Sequence, residues 1–371
     1  MPRPETRKRI KVIEFGEVPP PFGGVTVHMS RLLVRLHQDG FDLTHVTRRL
    51  QPGGGAYSSV RWPTFPKYLN HVECVRGIAA PFGDGILHLH DNPVFFAPLI
   101  ALHILRGGAA LITVHDQFLP ERLKRALPHE RVAFWLVTRS SRVSWIAVSR
   151  NVRELLRRRK IPIERICIIS AFLPRTDGPS GTALPTEVTE FLHSHNPAMI
   201  VYGYKRDFLS GRDLYGFDYA IRVLRELIRT TPEAGLIILC PSASRDDPAW
   251  QPLIKDVRSL GLTNRVLFVF KPLENPFALW ASCSVMLRPT LTDGDSTAVR
   301  EMLALGLPVI ASDITPRPVG TRVVGLDSPV EWAHAVTECI NNWPHCHTRP
   351  QTPIDGYNAI RKVLLALGGT K

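Results

Sequence analysis

The most informative segment of the sequence is TDGDSTAVREMLALGLPVIAS, from Thr292 to Ser312. It opens with a polar loop containing Asp293 and Asp295, enters a helical pattern near Ser296, and ends in a short apolar run typical of a buried strand. A loop, a helix and a strand in this order form one unit of a parallel α/β sheet. The carboxylates, including Glu301 inside the helix, either cap the helix and lie on a solvated face, or form a ligand site at its N-terminus.

The same alternation of apolar runs and helical patterns occurs twice along the chain. We therefore predict an α/β fold with two doubly wound, Rossmann-like domains, at residues 1–173 and 198–353. A segment rich in Pro, Gly, Ser and Thr predicts a linker at residues 174–197, and a last helix at 354–371 is expected to pack back on the first domain. Doubly wound sheets bind ligands beyond the carboxyl ends of their strands, so we expect the ligand in the cleft between the domains.

Composition narrows the class of partner. The chain has 371 residues and a formal net charge of +13, which favours anionic partners. The basic residues are spread along the chain without a nucleic-acid-binding module, so nucleic acid is not expected. The six cysteines form no C-x-x-C pair, and we predict a cytoplasmic protein without a disulfide framework or zinc site. The most apolar window, residues 95–114, is too interrupted to span a bilayer, so any membrane contact is expected to be peripheral.

Two candidate sites lie after strands of the first half. Gly23 and Gly24 precede a helix, where backbone N–H groups can approach an anion, and His28 falls in its first turns. The alternative is a plain turn with a surface histidine. His115 and Asp116 follow another strand, where the imidazole can donate a hydrogen bond to a sugar hydroxyl or handle a proton. Here the alternative is a His–Asp pair that only stabilises its turn.

A basic loop follows the first strand of the second half. It contains Lys205, Arg206 and Arg212, and fixed cations at this place suit a diphosphate. The alternative is a solvated loop. We predict that at least one of the three binds phosphate.

The opening segment offers N–H groups at the start of its helix that can hold a phosphate. Asp293 precedes Glu301 by eight residues, which places it in the loop near a transferred sugar, with Glu301 about two turns inside the helix. A carboxylate at that depth needs specific hydrogen bonds, for example from ribose hydroxyls. Asp293 and Asp295 also match the D-x-D spacing of metal-bound sugar-nucleotide sites, but we expect no metal because the helix start can itself neutralise phosphate.

Taken in order, these segments resemble a retaining family-4-type glycosyltransferase of the GT-B fold. The Gly23-Gly24 loop is similar to that family's first glycine-rich loop, and Val114-His115-Asp116 resembles its active-site histidine motif. Tyr215-Gly216 resembles the Lys-Gly start of its first C-terminal helix, and DGDSTAVREMLALGLPVIAS resembles its Glu-x7-Glu segment, the most specific of these signals.

The resemblance implies roles for individual residues. Glu301 would bind the donor ribose, Asp293 would meet the donor sugar, His115 would orient it, and Phe270 would lie near the base. Backbone donors on the phosphates would come from Gly294, Asp295, Ser296 and Thr297. The family uses nucleotide-activated sugars and needs neither metal nor other cofactor.

Two positions depart from the family pattern. Asp293 stands where glutamate is usual, and Tyr215 stands where a phosphate-binding lysine is usual. One of the cations Lys205, Arg206 and Arg212 would have to replace that lysine.

The sequence thus predicts transfer of a sugar from a UDP- or GDP-sugar to a hydroxyl of a glycan or lipid-linked acceptor, in bacterial surface polysaccharide or glycolipid synthesis. The basic helices of the first domain would face anionic lipid at the inner face of the membrane. The alternatives are a relative that binds a nucleotide sugar without catalysis, a sugar-nucleotide epimerase, and a nucleic-acid-binding protein.

Overall fold

The computed structural model describes residues 9–19, 23–47, 68–70, 83–174, 183–273, 276–342 and 355–369. The chain divides into two compact units. Unit 1 comprises residues 1–173 and 355–371, and unit 2 comprises residues 174–354.

Each unit is built on one parallel sheet. The strands of unit 1 are β1 (Lys11–Phe15), β2 (Asp42–Thr47), β3 (Tyr68–Asn70), β4 (Ile86–Leu89), β5 (Ala109–Val114), β6 (Val143–Ala147) and β7 (Ile166–Ile168). Their order in the sheet is β3-β2-β1-β4-β5-β6-β7. The strands of unit 2 are β8 (Ala198–Tyr202), β9 (Phe208–Leu209), β10 (Arg212–Asp213), β11 (Gly235–Leu239), β12 (Val266–Val269), β13 (Val285–Arg288), β14 (Val309–Ser312) and β15 (Arg322–Val324). Six of them form a sheet in the order β12-β11-β8-β13-β14-β15, and β9 and β10 form a separate antiparallel hairpin.

Helices connect the strands and cover both faces of each sheet. They are α1 (Gly24–Gln38), α2 (Ala97–Leu105), α3 (Leu119–Arg125), α4 (Pro128–Arg139), α5 (Arg150–Arg158), α6 (Thr186–Ser194), α7 (Phe217–Leu227), α8 (Gln251–Ser259), α9 (Pro276–Ser282), α10 (Thr297–Ala304), α11 (Pro329–Asn342) and α12 (Gly356–Gly368). Within the described ranges, none of these helices is long and apolar enough to cross a bilayer.

The two faces of the unit 1 sheet carry separate cores. Ile13 packs with apolar residues of α2, α4 and α5, whereas its neighbour Val12 packs with α1 and α12. This alternation follows from the two-residue period of a strand, and both faces are buried, as expected of a doubly wound parallel sheet.

The C-terminal helix α12 belongs to unit 1. Tyr357 donates from its hydroxyl to Asp39 at 2.7 Å, and Arg361 pairs with the same carboxylate at 2.7 Å. Arg35 of α1 pairs with Asp355 at 2.6 Å. Because these bonds fix the start of α12 beside the end of α1, the last segment completes the core of unit 1.

The predicted linker at 174–197 contains a helix, α6, and so is not linker throughout. Val188 and Phe191 of α6 are buried in the unit 2 core beside Ile200, because one face of this short helix is apolar. Residues 175–182 of the predicted linker and residues 343–354 at the second predicted boundary lie outside the described part of the chain.

Candidate active site

Three histidines of unit 1 meet near the carboxyl ends of two adjacent strands; we call His28, His90 and His115 the histidine cluster. His90 directly follows β4 and His115 directly follows β5, and these strands pair in parallel. His90 Nδ1 lies 3.1 Å from His115 Nε2. His28 comes from α1, and its ring centroid is 5.2 Å from each of the other two.

A buried carboxylate lies beneath the cluster. Glu14 of β1 is fully buried, 3.0 Å from His88 Nδ1 and 3.2 Å from His90 Nε2. Burial alone would raise the pKa of Glu14, but the charge and hydrogen bonds of His88 and His90 outweigh it and lower that pKa to about 2. Thr113 of β5 lies 2.8 Å from the other nitrogen of His88. Glu14 is therefore an ionised group held in place by the neighbouring strand β4, whose His88 is in turn bonded to β5.

His28 is buried, so the interpretation of a surface histidine was wrong. Its Nδ1 lies 2.7 Å from the carbonyl oxygen of Ala171, 143 residues further along the chain. Its Nε2 is buried and has no hydrogen-bond partner among the described residues. Burial lowers the pKa of His28 to about 4 and that of His90 to about 3, and it places the pKa of His115 well below its usual value. The cluster is therefore neutral at physiological pH.

Asp116 acts separately from its neighbour His115. Its carboxylate accepts a hydrogen bond from the backbone N–H of Phe118 at 3.0 Å and pairs with Arg122 at 2.7 Å. Asp116 thus stabilises its own turn, as the alternative reading of this pair expected, while His115 joins the histidine cluster.

The glycine pair at the start of α1 forms an ordinary helix entry. Gly23 is the N-cap in extended conformation, and its N–H donates to Thr26 Oγ1 at 2.9 Å. Gly24, the first residue of the helix, is exposed. The approach of a ligand to Gly23 and Gly24 stays a prediction.

In unit 2, the opening segment forms the expected loop, helix and strand. Ser296 is the N-cap of α10, and its hydroxyl accepts from the N–H of Val299. Thr297 Oγ1 is buried and has no partner within the part of the chain that the structure describes. Asp295 pairs with Arg300 at 2.5 Å, which directs this acid along the helix. Gly294 lies in the same loop, so the N-terminus of α10 presents backbone donors and a buried hydroxyl together.

Glu301 is buried inside α10, at 6% exposure. Trp280 of α9 donates from its indole N–H to Glu301 Oε2 at 2.8 Å. A charge-assisted bond of this kind meets the need for specific hydrogen bonds that the sequence implied and fixes the orientation of the carboxylate. Trp280 was not predicted, because indole side chains in apolar segments usually indicate only core.

Asp293 is held between two buried arginines. Arg288, the last residue of β13, donates from Nε at 2.9 Å and from Nη2 at 3.2 Å. Arg317 donates from Nη1 at 2.9 Å and also bonds Thr290 and Ser312. Burial alone would raise the pKa of Asp293, but the two guanidinium groups outweigh it and lower that pKa. An arginine ending the apolar strand VMLR was a signal for a buried ion pair that sequence reasoning missed.

The predicted cations of the basic loop differ in their environment. Lys205 is exposed and pairs with Asp207 at 2.9 Å, whereas Arg206 is buried and pairs with Asp213 at 3.1 Å. Arg212 is exposed and has no ion-pair partner among residues 183–273 and the other described ranges. Arg206 and Arg212 line a cavity of about 190 Å³ together with Tyr219, whose buried hydroxyl also lacks a described partner.

Tyr215 occupies the position where lysine was expected. Its ring packs against the backbone of Gly203, where a Cβ atom would approach Tyr215 Cγ to 2.6 Å, and it lies 5.4 Å from the Arg288 guanidinium. Gly216 is the N-cap of α7 with φ +69°, and a Cβ there would approach the Pro289 carbonyl oxygen to 2.4 Å, so this position requires glycine. Tyr215 is thus fixed beside Arg288, one of the two arginines that hold Asp293.

Phe270 belongs to an aromatic group of unit 2. Its ring centroid lies 4.7 Å from that of Trp250 and 5.4 Å from that of Phe268. It is partly buried. Its contact with a base stays a prediction.

Comparison with known proteins identifies both units. The model of Glycosyltransferase Family 4 matches residues 22–173, and that of glycosyl transferases group 1 matches residues 209–342. A search of curated protein sequences gave no match.

Solved structures share the fold over 97–98% of the chain. HepE from Anabaena, in complex with UDP, is 13% identical with a TM-score of 0.67, covering 97% of each chain, and a further HepE structure contains UDP-glucose. A glycosyltransferase from Rickettsia africae is 12% identical with a TM-score of 0.69, covering 98% of this chain and 100% of that one. Sucrose-phosphate synthase from Thermosynechococcus elongatus is 17% identical with a TM-score of 0.61, covering 97% and 96%.

Proposed function

Since the chain belongs to the GT-B glycosyltransferases of the family 4 and group 1 type, we propose that it transfers a sugar from a UDP- or GDP-sugar. The acceptor would be a hydroxyl of a glycan or lipid-linked molecule, and the transferred sugar would retain its anomeric configuration. The HepE structures contain UDP and UDP-glucose, which favours a UDP-sugar as donor. We propose that the reaction belongs to bacterial surface polysaccharide or glycolipid synthesis.

The observation that carries the proposal is the N-terminus of α10. It combines the backbone N–H groups of the first helical turn, a buried Thr297 hydroxyl without a described partner, and Glu301 held by Trp280 one helix turn further on. A helix N-terminus attracts phosphate, and a fixed carboxylate suits a ribose diol. The donor diphosphate would rest on the N–H groups, with Glu301 on the ribose.

Buried arginines would supply the charge that the absent lysine provides elsewhere in the family. Arg288 and Arg317 carry two positive charges against the single negative charge of Asp293, so this group has a formal excess of one positive charge. Both arginines are nearly inaccessible, and charge stabilisation is strongest where water is excluded. We propose that this excess, with Arg212 at the edge of its cavity, stabilises the diphosphate.

The reaction would proceed on one face of the donor sugar. The bond between the anomeric carbon and the diphosphate oxygen breaks, and the acceptor oxygen forms its bond to that carbon from the same side. The acceptor proton passes to the departing diphosphate. The α10 N-terminus and the arginines stabilise the negative charge that develops on the leaving group, without a metal. His115 would orient the sugar.

The acceptor side is proposed to lie on unit 1, at a membrane surface. Helix α4 carries an exposed apolar stripe of Val132, Trp135 and Leu136, which are 61%, 52% and 43% exposed. Arg139 lies 4.4 Å from the ring of Trp135, and α3 ends in a basic turn. Aromatic and aliphatic groups flanked by cations fit the interface of an anionic bilayer.

A nucleotide-sugar-binding protein without turnover is the second candidate. The observation that favours it is that both carboxylate oxygens of Asp293 are engaged by arginines. A donor sugar would have to share or replace those bonds. Turnover of a donor that binds distinguishes the two candidates.

The test is a thermal-shift panel of UDP- and GDP-sugars on the full chain. A bound donor stabilises the folded state by mass action, so one sugar nucleotide should raise the melting temperature. The variant Glu301→Ala should lose that shift, whereas Glu338→Ala, an exposed carboxylate of α11, should keep it. Absence of any shift with every nucleotide sugar would contradict the proposal.

A further inference from the structure

We propose that the histidine cluster is a binding site for one divalent first-row transition metal ion, Zn²⁺ being the best fit, with His28, His90 and His115 as ligands. The prediction of no metal rested on the cysteine spacing, on the D-x-D segment of unit 2 and on the family resemblance. The cluster is a different site, in unit 1, and its proposed metal binding does not depend on the proposed sugar transfer.

His28 has the protonation pattern of a metal ligand. Its Nδ1 faces the carbonyl oxygen of Ala171 at 2.7 Å, and a carbonyl can only accept, so the proton lies on Nδ1. The lone pair is then on Nε2, which is buried and without a partner among the described residues. Metal-bound histidines usually donate their other N–H to a carbonyl or carboxylate, which is the arrangement here.

His90 has the same pattern with the opposite tautomer. Its Nε2 lies 3.2 Å from Glu14 Oε2, which has no other hydrogen-bond partner among the described residues, and 3.2 Å from His88 Nδ1, which faces Glu14 Oε1. We therefore assign the His90 proton to Nε2, toward the carboxylate, and its lone pair to Nδ1. That lone pair faces His115 Nε2 at 3.1 Å. On this assignment His115 donates from Nε2 to His90 Nδ1 in the absence of metal. To bind an ion through Nε2 as the third ligand, His115 would carry its proton on Nδ1 instead, so that both facing nitrogens present lone pairs to the metal.

The spacing suits a tetrahedral ion. Zn²⁺ binds imidazole nitrogen at about 2.0–2.1 Å, which puts two nitrogen ligands about 3.3 Å apart. The His90–His115 pair is at 3.1 Å, and the ligand atoms of all three residues lie within 4.8 Å of one another. A small rotation of the His28 ring would close the site. Three histidines leave a fourth position for water.

Charge and access also favour a cation. Glu14 is a fully buried carboxylate directly behind His90, and a dication in front of that ring would offset its charge. His28 and His90 are buried, whereas His115 is half-buried, so an ion would enter past His115. Neutral imidazoles favour Zn²⁺, Co²⁺ or Ni²⁺ over Mg²⁺, which prefers oxygen ligands.

The same strands offer one competing arrangement. Glu14, His88 and His90 also have ligand atoms within 4.8 Å of one another. Glu14 and His88 are, however, already joined by a 3.0 Å bond, and His88 also faces Thr113 at 2.8 Å. In the histidine cluster, His28 keeps its bond to Ala171 and His90 keeps its contact with Glu14 when an ion binds. We therefore favour the histidine cluster as the metal site.

The experiment is calorimetric titration of the tag-free full chain with Zn²⁺, with Co²⁺ absorption as a probe of coordination. We expect one ion per chain and the visible bands of tetrahedral Co²⁺. His28→Gln and His115→Gln should each weaken binding at least 100-fold, and Glu14→Gln should weaken it about 10–100-fold, the usual effect of losing an outer partner. His45→Gln is the matched control, because His45 is an equally buried histidine bonded to the Gly16 carbonyl oxygen outside the cluster.

Circular dichroism of each variant would show that it is folded before binding is compared, and His115→Gln tests the least buried ligand if His28→Gln does not fold. The proposal would be overturned if His28→Gln and His115→Gln both bound Zn²⁺ as tightly as the wild type does. Loss of binding in His88→Gln alone would also overturn it, because that result would place the ion in the competing arrangement. Failure of the donor panel above would leave this result unaffected, because binding is read without substrate.

Discussion

Trp280 donates its indole N–H to Glu301 Oε2 at 2.8 Å, and both side chains are buried. The bond joins α9 to α10 and holds the carboxylate that we propose binds the donor ribose. Tyr202, at the end of β8, lies 5.6 Å from the Trp280 ring, and its carbonyl oxygen accepts from Arg288. A continuous set of contacts thus connects Glu301 to the arginines that hold Asp293.

Trp280→Phe should weaken donor binding about tenfold. A hydrogen bond to a charged group contributes about 1.5–3 kcal/mol, and about 1.4 kcal/mol corresponds to a factor of ten in affinity. Isothermal titration with the donor identified by the thermal-shift panel measures the effect. Trp332→Phe is the control, since it also removes a buried indole N–H bond, to Gly325, away from Glu301. Equal loss of affinity in both variants would show that Trp280 acts only through general stability.

Asp293→Asn should destabilise the fold by about 3 kcal/mol at neutral pH, because it leaves two buried arginines without their counter-charge. The folded-state pKa of Asp293 lies below the unfolded value of 3.8. Its contribution is therefore fully present above that value and is lost as the pH falls through the folded-state pKa. Urea denaturation of both proteins at several pH values measures this.

The difference in unfolding free energy between wild type and Asp293→Asn should be largest near neutral pH and shrink below about pH 4. Asp313→Asn, which changes an exposed acid nearby, serves as the control and should change stability little. A difference that stays constant with pH would mean that the Asp293 charge is not what stabilises the loop.

Local patterns were sufficient to predict the elements of the site in unit 2. A polar loop, a serine cap and an apolar strand follow one another within Thr292–Ser312, and the structure has them in that order. The partners of the acids were not predictable in the same way. Arg317 reaches Asp293 from 24 residues further on, and Trp280 reaches Glu301 from 21 residues before it.

The histidine cluster shows the same limit more strongly. His28, His90 and His115 come from a helix and two strand ends, and only the sheet order brings them together. The sequence indicated that His115 follows a strand, but it could not show that β4 and β5 are neighbours or that α1 turns His28 inward. Helix α6 was missed for a different reason: its two buried residues, Val188 and Phe191, give too little apolar periodicity beside a Pro-rich segment.

Trp135→Ser should reduce binding of the chain to anionic vesicles about tenfold. Burial of a large apolar side chain contributes about 1.5–3 kcal/mol, and Trp135 is the largest residue of the α4 stripe. Flotation with phosphatidylglycerol-containing vesicles, against phosphatidylcholine alone, measures both the apolar and the charge contributions. Phe95→Ser is the control, an aromatic residue of unit 1 with 53% exposure outside the stripe. Flotation independent of both anionic lipid and Trp135 would count against a membrane role for this surface.

Zinc should inhibit sugar transfer, although the transfer itself is proposed to need no metal. An ion bound by the histidine cluster would engage His115, which we propose orients the donor sugar, so this prediction rests on both proposals. Turnover of the donor should fall as Zn²⁺ is added, over the concentration range in which calorimetry shows binding, and a chelator should restore it.

The chelator alone should leave the activity of the untreated enzyme unchanged, because the diphosphate is stabilised by the α10 N-terminus and by guanidinium groups. Mg²⁺ should not inhibit, since it binds neutral imidazole poorly. His45→Gln should remain as sensitive to zinc as the wild type. Activation by zinc, or loss of activity with the chelator alone, would mean instead that the cluster holds a metal required for turnover.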